Sequence, residues 1–132
     1  MPPSDGPELP LLLVIDDDGR TARLLARLLK EDGYRVEVVC DGAAALARLA
    51  RGPFPDAIVT DFRMPHADGM AVAQFARSRE PGIPVFIVTG YPELIEDVGL
   101  LPKPVVFTKP LTYPELTTAL RLAAPSRPQR PG

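Results

Sequence analysis

Short apolar runs alternate along the chain with stretches whose apolar residues recur every three or four positions, and turn or breaker residues mark the changes. Leu11 to Ile15 is a continuous apolar run, as expected of a strand covered on both faces; Ala22, Leu25, Leu28 and Leu29 follow at helical spacing up to Gly33. Tyr34 to Val39 reads as a second strand. Asp41 is placed to cap a helix carrying Leu46, Leu49 and Ala50, which stops near Gly52 and Pro53 before a third strand at Ala57 to Thr60. Val72, Phe75 and Ala76 form the stripe of a third helix, Pro84 opens an apolar run through Val88, and Val105 to Phe107 gives a shorter last strand. The final helix has capping-box spacing in Thr112 and Glu115, with Leu116, Ala119, Leu120 and Ala123 along one face.

From Pro92 to Pro104 the pattern changes. Leu94, Ile95 and Val98 support a turn or two of helix, but Gly99, Pro102 and Pro104 leave no room for a long one, so the fourth helix is expected to be short or absent. Five βα units with short connections predict an α/β fold, an open doubly wound parallel sheet with right-handed crossovers. Prolines at both ends (Pro2, Pro3, Pro7, Pro10; Pro125, Pro128, Pro131) predict disordered segments at 1–10 and 125–132 around one folded domain at 11–124. Arg127 and Arg130 read as part of a frayed tail rather than a binding arm.

Composition narrows the function classes. At 132 residues and 45% hydrophobic content the chain suffices for one core, and a formal charge of -2 with mixed signs argues against direct nucleic-acid binding. Cys40 is the only cysteine and His66 the only histidine, which excludes an internal disulfide and Cys- or His-rich metal sites; His66 reads as a surface residue. Met1 to Pro10 lacks the basic and then apolar order of a signal peptide, and no later segment is long and apolar enough for a bilayer. A cytoplasmic location without membrane insertion is expected.

In such a sheet ligands gather at the carboxyl ends of the strands. There the chain places Asp16, Asp17 and Asp18 after Ile15, Asp61 after Thr60, Thr89 and Gly90 after Val88, and Lys109 after the last strand. Asp18 is most simply the cap of the first helix, as Asp68 is of the third. Asp16, Asp17 and Asp61 repel one another when all are ionised, and either a raised pKa or a bound cation must relieve this. An oxygen-only site open to solvent suits Mg²⁺, which keeps several waters and takes one or two carboxylates plus phosphate oxygens.

These motifs resemble the receiver domains of response regulators and hybrid histidine kinases. Val14-Ile15-Asp16-Asp17 matches the acidic pair, Asp61 with Met64-Pro65 and Asp68-Gly69 the phosphoacceptor loop, Val88-Thr89-Gly90 the switch hydroxyl, and Lys109-Pro110 the lysine and its proline. The resemblance covers Leu11 to about Leu122 and implies a flavodoxin-like (βα)5 fold with strand order 2-1-3-4-5. It implies that Asp61 is the nucleophile, that Asp17, Asp61 and the Arg63 backbone carbonyl bind Mg²⁺, and that Asp16 holds the metal mainly through water. Lys109 and Thr89 then neutralise and orient the phosphoryl oxygens, and the Lys109-Pro110 peptide is cis. The implied donor is a histidine kinase or histidine phosphotransfer protein. The implied role is Mg²⁺-dependent phosphoacceptor signalling through protein contact rather than enzymatic turnover, either alone or within a hybrid kinase.

Two features depart from that family, the short or absent fourth helix and the residue three positions before the lysine. Receivers usually carry Tyr or Phe three residues before the lysine, where this chain has Val106, and Phe107 is expected to face the opposite side of the strand. With Gly90 and Pro92, this predicts a switch in which Thr89 moves toward the phosphoryl group and the loop after the fourth strand, rather than a ring, is the movable element. Tyr91, two residues after Thr89, occupies a position that in receivers modulates water access to the acyl phosphate.

Two competing readings remain. Asp16, Asp18 and Gly19 also resemble the nucleophile motif of haloacid-dehalogenase-type phosphatases, but these need an acidic pair beyond the lysine, and the only acidic residue after Lys109 is Glu115. The other is a receiver-like docking module without phosphotransfer.

Overall fold

Apolar runs too short for helices become the strands of a single sheet, and the 3.6-periodic stretches between them become its covering helices. The computed structural model describes residues 9–96 and 98–123. Its elements run β1 (Leu11–Ile15), α1 (Gly19–Glu31), β2 (Arg35–Val39), α2 (Gly42–Arg51), β3 (Ala57–Asp61), α3 (Gly69–Arg79), β4 (Val85–Thr89), β5 (Val105–Thr108) and α4 (Tyr113–Ala123). All pairings are parallel and the order is β2-β1-β3-β4-β5, the order that the resemblance implies. β1, β3 and β4 are buried along their whole length, as interior strands with helices on both faces must be, whereas the edge strands β2 and β5 are largely open.

The period-2 alternation of each strand divides the core in two. Leu12, Val14, Val59 and Phe86 pack with Ala22 and Leu29 of α1 and Leu116 and Leu120 of α4 on one face. Leu13, Ile15, Ile58 and Ile87 pack with Ala45 and Leu49 of α2 and Val72 and Ala76 of α3 on the other. The fourth helix is reduced to one 3₁₀ turn at Pro92–Leu94, because the glycine and prolines that follow cannot continue it. Asp18, Asp41 and Asp68 cap α1, α2 and α3, each accepting a backbone N–H of the first turn.

Element limits differ from the sequence reading by a residue or so. β2 starts at Arg35, since the Tyr34 amide is taken by the Leu29 carbonyl behind α1; β4 starts at Val85, since Pro84 has no N–H to donate. β3 and β4 run one residue further, to Asp61 and Thr89. In α1, Leu25 and Leu28 are only half-buried and Ala26 takes a core place; in α2, Ala50 is exposed while Ala45 and Arg48 are buried. Arg48 is satisfied by Glu37 at 2.5 Å and the Pro53 carbonyl at 2.8 Å. The expected disordered ends lie outside the described residues except for Leu9 and Pro10, whose carbonyls accept hydrogen bonds from the Arg35 side chain and amide. No helix among the described residues is long and apolar enough to cross a membrane.

Candidate functional site

Three strand ends build the site. Asp16 and Asp17 leave β1, Asp61 is the last residue of β3, and Lys109 follows β5 through a backbone bond from its N–H to the Thr89 carbonyl at 2.8 Å. The Lys109-Pro110 peptide is cis. Because β1 and β3 are neighbours in register, Ile15 beside Thr60, their C-terminal carboxylates converge. Asp16, Asp17 and Asp61 each offer an oxygen within 4.8 Å of the others. The Lys109 Nζ lies 2.7 Å from Asp61 Oδ1. Asp16 is held by the Asp18 N–H, which donates to its Oδ1 at 2.9 Å.

Asp61 is 7% exposed. Burial raises its pKa to about 6; the hydrogen bond from Lys109 opposes this, and the nearby charge of Asp16 adds to it. For Lys109, partial burial lowers the pKa, but the bond to Asp61 and the charges of Asp61, Asp16 and Asp17 outweigh it and leave the ammonium above its usual value. Three carboxylates against one ammonium leave two negative charges, which one divalent cation balances. The donor set is oxygen only and half-open to solvent, so these residues fit Mg²⁺ by charge and by chemistry.

A cavity of about 680 Å³ opens beside the carboxylates and runs between α1 and the start of α4, walled by Leu24, Leu25, Leu28, Leu111 and Tyr113. Half-burial of Leu25 and Leu28 is explained by this groove. On the other side, Asp17 shares a concavity of about 490 Å³ with loop residues Phe62, Arg63, Met64, Pro65 and Asp68.

Thr89 ends β4 on the same rim, paired with Thr108 of β5. Its hydroxyl accepts the Tyr91 N–H at 3.0 Å and it does not line the larger cavity. His66 is exposed with φ at 76°, in the left-handed region that few residues other than glycine enter, histidine being among those that do so more often. Val106 is 39% exposed, while Phe107 turns to the core and stacks on Phe86 with ring centroids 6.2 Å apart. Unforeseen in the sequence are the Arg63 guanidinium over the Tyr91 ring at 5.8 Å and buried Arg77, whose guanidinium donates to the Ile83 and Pro102 carbonyls. Arg77 sits on the apolar side of α3, and nothing in the spacing of its neighbours, Glu80 three residues on included, pointed to the carbonyls it serves.

The model of the response regulator receiver domain matches residues 12–121. Response regulator MprA of Mycobacterium leprae (strain TN) is 39% identical over 101 residues, covering 70% of this chain and 44% of that protein. The chain thus spans less than half the length of such curated relatives. A response regulator receiver protein from Sinorhizobium medicae WSM419 superposes with a TM-score of 0.79 at 30% identity, covering 88% of this chain and 94% of that one. Response regulator protein TrrA from Thermotoga maritima, solved in complex with Mg²⁺ and BeF, has a TM-score of 0.76 at 24% identity over 86% of this chain and 98% of its own, a likeness of fold.

Proposed function

The chain belongs to the response regulator receiver domain family, and we propose that within it Asp61 is the phosphoacceptor, charged by phosphohistidine on a histidine kinase or histidine phosphotransfer protein. The observation that carries this is the buried Asp61 carboxylate held 2.7 Å from Lys109 beside Asp16 and Asp17. An Asp61 oxygen attacks phosphorus, the P–N bond of the donor breaks, and its electron pair returns to the imidazole, which takes a proton from solvent. The product is an acyl phosphate, a high-energy and hydrolysable mark. Lys109 neutralises oxygens of the phosphoryl group in flight, where positioning and charge stabilisation do most of the catalysis. Asp16, Asp17, Asp61 and the Arg63 carbonyl are the residues to hold Mg²⁺, which when bound supplies further neutralisation of the phosphoryl oxygens. The leucine-walled groove is where a donor helix would reach Asp61.

The Thr89 hydroxyl spends one acceptor site on Tyr91 and keeps its O–H to donate to a phosphoryl oxygen. Movement of Thr89 therefore carries the Tyr91 backbone with it, and the Arg77 bond to Pro102 bounds the movable stretch at its far end. A phosphatase of the haloacid-dehalogenase type is disfavoured, since Glu115 accepts from the Thr112 amide at the start of α4 and is committed to that turn. Signalling then runs through contact with other proteins, in a stand-alone regulator or a hybrid kinase.

Labelling by a small acyl-phosphate donor tests this reading: incorporation that needs Mg²⁺ and stops on chelation is expected, and Mg²⁺ binding without labelling would favour the docking module. In a Mg²⁺ titration, Asp17→Asn is expected to weaken binding at least about tenfold, about 1.4 kcal/mol. Unchanged affinity would put the metal elsewhere.

A further inference from the structure

The loop from Phe62 to Asp68 joins Asp61 to α3 and is fixed from two sides. From α3, the Gly69 N–H donates to the Phe62 carbonyl at 2.7 Å, and a Cβ on Gly69 would stand 2.6 Å from the Asp61 carbonyl oxygen. From α2, Gly42 meets the loop at Ala67. A Cβ on Gly42 would stand 2.0 Å from the Ala67 carbonyl oxygen and 2.7 Å from both the Ala67 carbonyl carbon and Cβ. Backbone atoms cannot swing aside as the end of a flexible side chain can, so a side chain at position 42 must displace either the loop or α2.

The two are held very differently. The Asp41 carboxylate accepts the Ala44 N–H at 2.7 Å, Ala45 and Leu49 are fully buried, and Arg48 is fixed to Glu37 and Pro53. In the loop, Arg63, Pro65, His66 and Asp68 are exposed and His66 already has a left-handed φ. The loop is the part that yields.

We propose that Gly42 is a positioning residue for the phosphoacceptor loop: by presenting no side chain, it lets Ala67 settle against α2 and holds Arg63 to Pro65 around the concavity they share with Asp17. This rests on the reading of the carboxylates as a Mg²⁺ and phosphoryl site, although Gly42 touches neither. Small displacements of such a loop carry large effects, since productive geometry is lost within about an ångström.

Amide NMR of the full chain and of Gly42→Ala, first without metal and then through a Mg²⁺ titration, tests it. Without metal, shift changes concentrated in 63–68 are expected; changes concentrated in 43–51 overturn the proposal, because α2 has then moved instead. With metal, the variant is expected to bind Mg²⁺ about tenfold more weakly, and unchanged affinity overturns the positioning role. Should Gly42→Ala fail to fold, the unsubstituted protein decides: the Gly42 amide is expected to shift together with 63–68 when Mg²⁺ and beryllofluoride are added, and a Gly42 amide that stays fixed while the loop responds overturns the contact. An unsubstituted chain that binds no Mg²⁺ defeats the reading of the site, while the metal-free comparison still judges the contact itself.

Discussion

Replacing Lys109 by methionine is expected to slow phosphoryl transfer to Asp61 by about 10² to 10³-fold, the loss seen when one preorganised charge-stabilising donor is removed from an active site. Two effects act in the same direction. The Lys109 Nζ sits 2.7 Å from Asp61 Oδ1, so its charge lies where the oxygens of the transferring group gather negative charge. Removing it also deletes the interaction that lowers the Asp61 pKa, so the carboxyl moves above about 6 and a larger fraction is protonated, and unable to attack, at neutral pH. All three carboxylates remain, so Mg²⁺ binding survives. Single-turnover labelling at saturating Mg²⁺ measures the effect, and a Lys109→Met rate near that of the unchanged chain would remove Lys109 from the chemistry.

The second large effect is one of stability. The Asp61 carboxyl is raised from an ordinary 3.8 to about 6, mainly by burial, so the unfolded chain ionises it more readily than the folded one does. Its contribution to stability is therefore fully present below about pH 3.8 and is lost as the pH rises through about 6. At pH 7 without metal, the ionised Asp61 destabilises the fold. Each pKa unit corresponds to about 1.4 kcal/mol. Because that raised value already includes the opposing Lys109 ion pair, Asp61→Asn is expected to stabilise the metal-free protein by roughly 2–3 kcal/mol at pH 7 and by well under about 1 kcal/mol at pH 4. Mg²⁺ should narrow the gap, because it binds the aspartate form better. Urea unfolding at the two pH values in the presence of a chelator measures this; a variant less stable at pH 7 would mean that Lys109 more than offsets the burial of the carboxylate.

The sheet was legible because buried parallel strands read as unbroken apolar runs, and Leu11–Ile15 carries that signal without interference. The convergence of Asp16, Asp17, Asp61 and Lys109 was legible for a related reason: each directly follows or ends a strand, and a parallel sheet brings those ends to one rim. The weak fourth helix was visible in Gly99, Pro102 and Pro104. Depth was not: Leu25 and Leu28 share the helical stripe of Ala22 and Leu29, yet they wall a groove, because periodicity gives a face and not what covers it. Arg48 and Arg77 were hidden because their partners are carbonyls and a carboxylate on other elements, a relation that no spacing encodes. Gly42 looked like an ordinary residue after a cap, and its meaning lies in Ala67, 25 positions on, against which it packs.

The phosphorylated chain itself gives the most direct test. Labelling with a small acyl-phosphate donor and Mg²⁺, followed by reductive trapping of the acyl phosphate and peptide mapping, is expected to mark Asp61 alone, with the mark absent from Asp61→Asn and formed slowly in Lys109→Met. A trapped mark on Asp16, Asp17 or Asp18, or full labelling of Asp61→Asn, would contradict the assignment of Asp61 as the residue that accepts the phosphoryl group.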